Sequence, residues 1–261
     1  MSHHVVGEDL KALPDRLDIR FFSFAENKLY HGSFDLPYES ILELFRAGVA
    51  NPKERALFDT IMVGVAPGGA VAVWASGREQ REVFFGQAEA YEGVLTNSLN
   101  SVVEDRAGFV RRVLEYELTA EMLADLHKNG VPLGQWDRFR KRYRWLPSFA
   151  QPQRPDYVRV SFFNGERYRF NFPLSPSMEG QSHPVPMLLS FTYLMPGETA
   201  RDSFTVRFDA TEIYAAFDKL GADQQAVFIE SAPALPKQMT RVRLYNARES
   251  IELERLTIDD W

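Results

Sequence analysis

The chain has 261 residues, of which 45% are hydrophobic and 13% aromatic, enough apolar material for one large domain or two small ones. Its formal net charge of −6 disfavours a nucleic-acid partner, because binding to phosphates requires a basic surface. The absence of cysteine excludes disulfides and thiolate chemistry.

The N-terminal residues lack the apolar core of a signal peptide, and no apolar run approaches the roughly 20 residues of a membrane-spanning helix. We therefore expect no membrane span. The expected location is the cytoplasm, or the periplasm if the natural chain has an export signal that is missing from this sequence.

The first half is predicted to contain a hairpin, a helix and three further strands. Residues 18–24 and 28–34 are aromatic-rich runs joined by three residues, as in a β-hairpin. Apolar spacing predicts a helix from Pro37 that ends at Gly48. Strands are predicted at 60–66, 70–76 and 82–90, followed by a polar surface loop at 93–105 and a helix from the Thr119 cap to Gly130.

The stretch VGVAPGGAVAVWASG (63–77) raises the question of a phosphate-binding loop. Neither the Lys-Ser/Thr ending of a P-loop nor the helix-opening glycine spacing of a dinucleotide site is present. Pro67 suits the first central position of a turn, and Gly68, followed by Gly69, suits positive φ at the second. We interpret the stretch as a structural hairpin turn that places Trp74 in or beside the core.

The second half begins after a proline-rich break at 147–155, which divides the chain into predicted β-rich halves at 15–147 and 156–258. These form either two units or one continuous domain. Asn164-Gly165 between two alternating runs predicts a hairpin. A helix is expected from the Asp209 cap to Gly221, with Glu212 at the spacing of a capping box. The remaining strands are predicted in the segments PMLLSFTYLM, DSFTVRFD, AVFIES, TRVRLYN and ESIELERLTI.

A faint repeat links the two halves. Four residues of the first hairpin recur at one constant offset in the second: Ser23, Phe24, Tyr30 and Phe34 match Ser161, Phe162, Tyr168 and Phe172. An ancient duplication and convergent strand patterning both explain this match.

No local motif for catalysis or metal binding is present. The Gly-x-Ser-x-Gly elbow is absent, and none of the five histidines has metal-ligand spacing to another. We therefore predict no catalytic residue, no metal site, no cofactor and no enzymatic activity, while a site assembled in space from distant residues remains an alternative.

The segment GQWDRFRKRYRW (134–145) is basic in an otherwise acidic chain. As a strand it would align Arg138, Arg140, Arg142 and Arg144 on one face; as a helix it would form an apolar stripe that includes Trp136. We favour a strand that Pro147 soon ends. The arginines either pair with carboxylates of this protein or, together with Trp136, bind a partner protein, since arginine and aromatic residues dominate interface hot spots.

The segment FDTIMVGVAPGGAVAVWASG, together with VFFGQAEA and GVPLGQWDRF…RYRWLP, resembles the bacterial domain-of-unknown-function family numbered 2931. FNGERYRF and RFDATEIYAAF also fit the C-terminal half of that family, so the resemblance extends over residues 15–258. Members are often encoded beside antibacterial type VI secretion effectors, including lipases, which implies an immunity function. Many carry a lipoprotein signal that this sequence lacks, and the family has no established catalytic residues to transfer.

We therefore expect an α+β fold, mainly antiparallel β with two or three short helices packed on the sheets, in one domain or in two similar halves. The expected function is to bind and neutralise a cognate type VI effector by occluding it. The alternatives are an adaptor or chaperone for effector loading, and a hydrolase or carbohydrate-active β protein. The sequence leaves the oligomeric state open.

Overall fold

The computed structural model describes residues 12–47, 57–96, 101–150, 155–178, 180–194, 197, 199, 201–221 and 227–259. The chain divides into two compact units, a first unit of Met1–Arg78 and Glu82–Leu133 and a second unit of Glu79–Arg81 and Gly134–Trp261. The fold is α+β and mainly antiparallel, as predicted. Five α-helices lie in the described residues, more than the two or three expected.

The first unit contains the two hairpins predicted in the first half of the chain. Its elements are β1 (Arg16–Ser23), β2 (Lys28–Asp35), α1 (Tyr38–Ala47), β3 (Thr60–Ala66), β4 (Ala70–Ser76), β5 (Gln80–Gln87, whose first two residues belong to the second unit), β6 (Glu89–Tyr91), α2 (Arg106–Glu117) and α3 (Ala120–Asn129). β1, β2 and β6 form one antiparallel sheet, and β5, β4 and β3 follow one another in a second sheet.

The prediction of one continuous strand at 82–90 is wrong, because the chain changes sheets at Ala88. β5 lies beside β4, whereas β6 pairs with β2. At the break, the Ala88 N–H donates to the Gly69 carbonyl at 2.7 Å, a contact between segments far apart in sequence. The hydrophobic pattern does not encode that contact, so it suggested a single strand.

Local capping signals located the helices more accurately. The Thr119 hydroxyl accepts from the Met122 N–H at 3.2 Å, and the Gly130 N–H donates to Leu126 O at 2.9 Å, which confirms the predicted ends of α3. The predicted end of α1 at Gly48 lies outside the described residues. α2 was not predicted, although Asp105 caps it through the Gly108 N–H at 2.9 Å.

The second unit is built from two sheets and two helices. Its elements are α4 (Gln135–Arg140), β7 (Arg142–Phe149), β8 (Tyr157–Phe162), β9 (Arg167–Asn171), β10 (Ser182–Pro184), β11 (Pro186–Leu194), β12 (Arg201–Phe208), α5 (Ala210–Leu220), β13 (Val227–Ala232), β14 (Arg241–Tyr245), β15 (Ser250–Leu253) and β16 (Leu256–Asp259). One sheet has the order β10-β7-β13-β14-β15, and the other contains β16-β12-β11-β8-β9.

The core of the second unit lies between these sheets and α5. Trp145 of β7 is 1% exposed and contacts Phe162 and Phe170 of the other sheet and Phe217 of α5. Its indole N–H donates to a backbone carbonyl at 2.9 Å, so the buried polar atom is satisfied.

β7 explains why the unit boundary precedes the proline-rich break. It pairs in parallel with β13, from Trp145↔Val227 to Phe149↔Ser231. The contact boundary therefore falls between Leu133 and Gly134, whereas the sequence suggested 147–155.

α5 begins and ends where its caps predicted. The Asp209 side chain accepts from the Glu212 N–H at 2.9 Å, and Gly221 follows the last turn. The Glu212 carboxylate accepts at 2.9 Å from the backbone N–H groups of both Glu254 and Arg255. This contact lies where β15 ends and β16 begins in the other sheet, which splits the strand predicted over the last segment.

Candidate partner-binding segment and its surroundings

The glycine-rich stretch 63–77 forms a hairpin turn in the first unit. β3 and β4 pair antiparallel over their whole lengths, and Pro67, Gly68 and Gly69 join them. Gly68 has φ 80° and ψ 8°, the angles of the second central residue of a type II turn. Turn geometry accounts for these residues without a ligand.

A carboxylate of the same chain accepts a hydrogen bond from a backbone amide of this turn. The Gly68 N–H donates to Glu26 at 2.7 Å, and the hydroxyls of Ser23 and Tyr30 donate to the same carboxylate at 2.8 and 3.0 Å. Burial raises the pKa of Glu26, but these hydrogen bonds outweigh it and hold the pKa below its ordinary value. Burial, with the neighbouring carboxylate, raises the pKa of Tyr30 to about 12. The Gly68 amide of the turn is thus satisfied by a side chain of this protein.

Tight packing restricts two glycines of the hairpin. Gly69 has φ 78°, and a Cβ there would overlap the Ala88 carbonyl and lie 2.9 Å from the Tyr30 ring. A Cβ on Gly64 would lie 2.7 Å from the ring of Trp74, which is half-buried. The hairpin therefore requires small residues where its neighbours cross it.

The preference for a single strand over the basic segment is wrong. Trp136, Arg138 and Arg140 lie on α4, whereas Arg142 and Arg144 lie on β7. The arginines therefore do not line one strand face. The prediction that Pro147 soon ends the strand is also wrong, because Pro147 lies inside β7. Arg142, Tyr143 and Arg144 pair with β10, so the proline lies beyond that ladder, where its missing N–H breaks none of its hydrogen bonds.

Aromatic packing explains the short helix. Phe139 stacks on Phe163 and Tyr214, with ring centroids 5.4 and 6.1 Å apart, and Trp136 lies one turn earlier at 6.0 Å from Phe139. The Arg140 guanidinium donates to the Trp136 carbonyl at 2.8 Å. These contacts fix α4 on the second unit.

The arginines of the segment differ in their surroundings. Arg138 is exposed, and its guanidinium carbon lies 4.5 Å from the centre of the Tyr214 ring. Arg144 is also exposed, Arg140 is half-buried, and Trp136 is half-buried. α4 thus carries a half-buried tryptophan and an exposed arginine whose guanidinium lies over a tyrosine ring.

Arg142 has a structural partner. Its guanidinium donates to Glu166 at 2.7 Å, and the Tyr168 hydroxyl donates to the other oxygen of that carboxylate at 2.6 Å. Glu166 is 1% exposed, so both hydrogen bonds compensate a buried charge. Burial, followed by the Glu166 charge, raises the pKa of Tyr168. For Arg142, the interpretation as a pair with a carboxylate of this protein is confirmed.

His183 lies beside this cluster. It is 3% exposed and contacts the rings of Trp145, Tyr168 and Phe170, and its Nε2 has no hydrogen-bond partner among the described residues. Burial is the main cause that lowers the pKa of His183 to about 4, and the positive charge of Arg142 lowers it further. The imidazole is therefore neutral at physiological pH.

A pair of arginines on β8 and β9 was missed by the sequence analysis. Arg159 and Arg169 are direct cross-strand neighbours and both are exposed. Each lies over the ring of Tyr157, at 5.4 and 3.9 Å from its centre. The alternation of arginine on both sides of Asn164-Gly165 was the available signal, because a hairpin places such residues opposite one another.

The described residues contain no group of three or more metal-ligating side chains, and none of their helices has the length and apolar character to cross a membrane. A cleft of about 470 Å³ in the first unit is lined by Asn27, Lys28, Leu29, Ala90, Tyr91, Glu92, Arg106 and Ala107. Its carboxylate, Glu92, has no second carboxylate among these residues to act with it.

A family described as "Protein of unknown function (DUF2931)" matches residues 1–134. The matched residues include the hairpin turn, Trp74 and Gly130, whereas α4 and the arginine pair of β8 and β9 lie beyond them. No curated protein and no solved structure matches the chain.

Proposed function

Because the chain belongs to the DUF2931 family, to which no activity is assigned, we propose its function from its surface: it binds and neutralises a cognate antibacterial effector of a type VI secretion system by occluding it. This proposal follows the immunity function that the family resemblance implies. The partner is a secreted toxin, with a lipase among the candidate activities.

The observation that supports this proposal is the surface of α4. Arg138 is exposed, and its guanidinium carbon lies 4.5 Å from the centre of the Tyr214 ring. This contact restricts the side chain before binding, so less of its entropy is lost in a complex. The half-buried Trp136 belongs to the same helix, two residues before Arg138. Tryptophan and arginine are the residues that most often dominate interface energetics.

The residues of the basic segment have different surroundings, so we assign them different roles. Trp136, Arg138 and Arg144 are candidates for direct contact with the effector. Arg140 positions α4 through the Trp136 carbonyl, and Arg142 supports the fold through Glu166. A neutralising complex is expected to bury on the order of 1,600 Å² in total, so these residues would form part of a larger interface.

Co-expression with each secreted toxin candidate encoded nearby tests the proposal. The wild-type chain should restore growth of a sensitive bacterial host, and the purified pair should form a complex in which the toxin is inactive. If no neighbouring product is toxic, or if toxicity persists although the chain is expressed and folded, the proposal is wrong.

Variants locate the contact. Arg138→Glu should weaken binding at least tenfold with little change in melting temperature, because Arg138 is exposed and its electrostatic interaction with the exposed Asp218 is screened by solvent. Arg241→Glu is the matched control: Arg241 is an exposed strand arginine far along the chain, on β14. Deletion of the gene separates immunity from effector loading, since it kills the cell by self-intoxication in the first case and abolishes secretion in the second.

A further inference from the structure

The outer face of the β8–β9 hairpin carries two positive charges in direct opposition. Arg159 of β8 is paired in register with Arg169 of β9, and their sequence neighbours Val158, Val160 and Phe170 are at most 2% exposed. The two guanidinium groups therefore project from the side of the sheet opposite to the core. Like charges directly opposite one another on a sheet are destabilising.

Three strand arginines of the second unit illustrate pairing with carboxylates. Arg207 pairs with Asp259 at 3.6 Å, Arg201 with Asp156 at 3.7 Å, and Arg243 with Glu230 at 2.7 Å. Within the described residues, Arg159 contacts only the Tyr157 ring, and Arg169 has that ring and the Asn171 side chain at 2.8 Å. Unlike these three arginines, Arg159 and Arg169 form no ion pair within the described residues.

Hydroxyl groups continue this face across the next two strands. Ser190 of β11 lies opposite Arg159, and its hydroxyl is 3.1 Å from that of Thr205 on β12. Tyr157, Arg159, Ser190, Thr192 and Ser203 are among the residues that line a shallow cleft of about 40 Å³ on the sheet. Such hydroxyls can both donate to and accept from a peptide backbone.

We propose that the face formed by Tyr157, Arg159, Arg169 and the adjoining hydroxyls of β11 and β12, here called the arginine face, binds an acidic segment of a partner protein. Guanidinium groups match carboxylates in geometry and charge, and Tyr157 supplies an aromatic surface between them. A carboxylate placed between the two guanidinium groups would also remove their repulsion. The net charge of −6 disfavours a polyanion such as a nucleic acid.

This inference takes from the proposed function only the identity of the partner, an effector that presents Asp or Glu at its contact surface. Binding of an acidic segment is tested first without any effector. The probe is the peptide acetyl-(Glu-Ser)4-amide, and acetyl-(Lys-Ser)4-amide is its charge-reversed counterpart. Both are titrated into the full-length ¹⁵N-labelled protein, with the backbone amides of β8, β9 and β11 and the Arg159 and Arg169 Nε–H groups observed by NMR.

The glutamate peptide should shift these resonances saturably, and the lysine peptide should not. Arg159→Gln and Arg169→Gln should each weaken binding about twofold to fivefold, as expected for solvent-exposed ion pairs. Arg207→Gln is the matched control, because Arg207 lies in the same sheet but already pairs with Asp259, and it should leave binding unchanged. Unchanged melting temperatures or higher ones would verify that the variants fold.

Two results would overturn the inference at this level. One is the absence of shifts at the arginine face with the glutamate peptide, or equal shifts in the double arginine variant. The other is tighter binding of a ten-residue oligothymidylate or of phosphatidylserine vesicles than of the peptide, which would assign the face to a nucleic acid or to a lipid surface.

The effector itself provides the second arm. The double variant Arg159→Gln/Arg169→Gln should lose neutralisation of the effector together with peptide binding. Retained neutralisation by a variant that no longer binds the peptide would contradict the assignment of the effector to this face. Peptide binding by a protein that neutralises no effector would instead leave the arginine face standing and refute the proposed function.

Discussion

The ion pair of Arg142 and Glu166 gives the most informative stability prediction, since one partner is almost completely buried. Replacing Arg142 by Met keeps the aliphatic part of the side chain but removes the guanidinium from Glu166, which is 1% exposed. Of the two hydrogen bonds described above, the one from the Tyr168 hydroxyl then remains. Removal of one partner from a fully buried pair costs about 3–5 kcal/mol. The Arg142 side chain is 40% exposed, so the pair is partly screened. We expect a loss of about 2–3 kcal/mol in the free energy of unfolding.

This loss should lower the melting temperature by roughly 6–12 °C in a unit of this size. The double variant Arg142→Met/Glu166→Gln should recover at least half of it, because no buried charge then remains. Denaturant unfolding of the single and double variants measures both effects. Arg241→Met is the control: its side chain is 76% exposed and its partner Glu252 is 59% exposed, so we expect a change below about 0.5 kcal/mol.

A change below about 0.5 kcal/mol for Arg142→Met itself would refute the reasoning, since it would mean that Glu166 does not need the guanidinium. The same conclusion would follow if the double variant were less stable than Arg142→Met alone.

Three further predictions concern single groups. The pKa of His183 is 6.5 in the unfolded chain but about 4 in the folded chain. The free energy of unfolding should therefore be full above pH 6.5 and fall by about 3 kcal/mol toward pH 4. His183→Phe should remove this pH dependence in unfolding curves measured at a series of pH values. Gly69→Ala should cost at least about 2 kcal/mol, because φ is +78° and the Ala88 carbonyl blocks the new Cβ, whereas Gly134→Ala, at φ −75° with open space, should cost nothing in the same thermal melts. Glu26→Ala should cost about 2 kcal/mol, and because the pKa of Glu26 is lowered in the fold, this difference from wild type should be present above the ordinary glutamate pKa and shrink as the pH falls below it; an unchanged difference at low pH would contradict the assigned hydrogen bonds.

Features determined by neighbouring residues were predicted well from the sequence. The ends of α3 and α5 follow from Thr119, Gly130, Asp209 and Gly221, whose side chains or backbone freedom act within one helical turn. The turn at Gly68 follows in the same way from its own φ preference and from the proline before it.

Features that depend on distant contacts were not predictable in this way. The strand predicted at 82–90 is divided at Ala88 by a hydrogen bond to the Gly69 carbonyl, and the last predicted strand is divided where Glu212 binds two backbone amides. In the candidate site, α4 has no side-chain cap, and its helix depends on the packing of Phe139 against Tyr214. Periodicity alone could not reveal either effect.

The roles of the charged residues on the candidate surfaces also depend on contacts distant in sequence. The sequence identified a run of arginines but could not separate Arg142, which stabilises a buried carboxylate, from the exposed Arg138. The opposition of Arg159 and Arg169 was accessible in principle, because the register of a short hairpin follows from its turn. The density of charge along the chain does not reveal this opposition, which depends on the arrangement of the charges across strands.

The parallel pairing of β7 with β13 has a consequence for the synthesis of the protein on the ribosome. β7 leaves the ribosome long before Val227, and until then its strand neighbour among the described residues is the three-residue β10. The edge of β7 that pairs with β13 therefore stays unpaired until nearly the whole chain has been synthesised, and an unpaired strand edge is a site for chaperones. A chain truncated before Val227 would lack this strand, and we expect it to be degraded as a misfolded product.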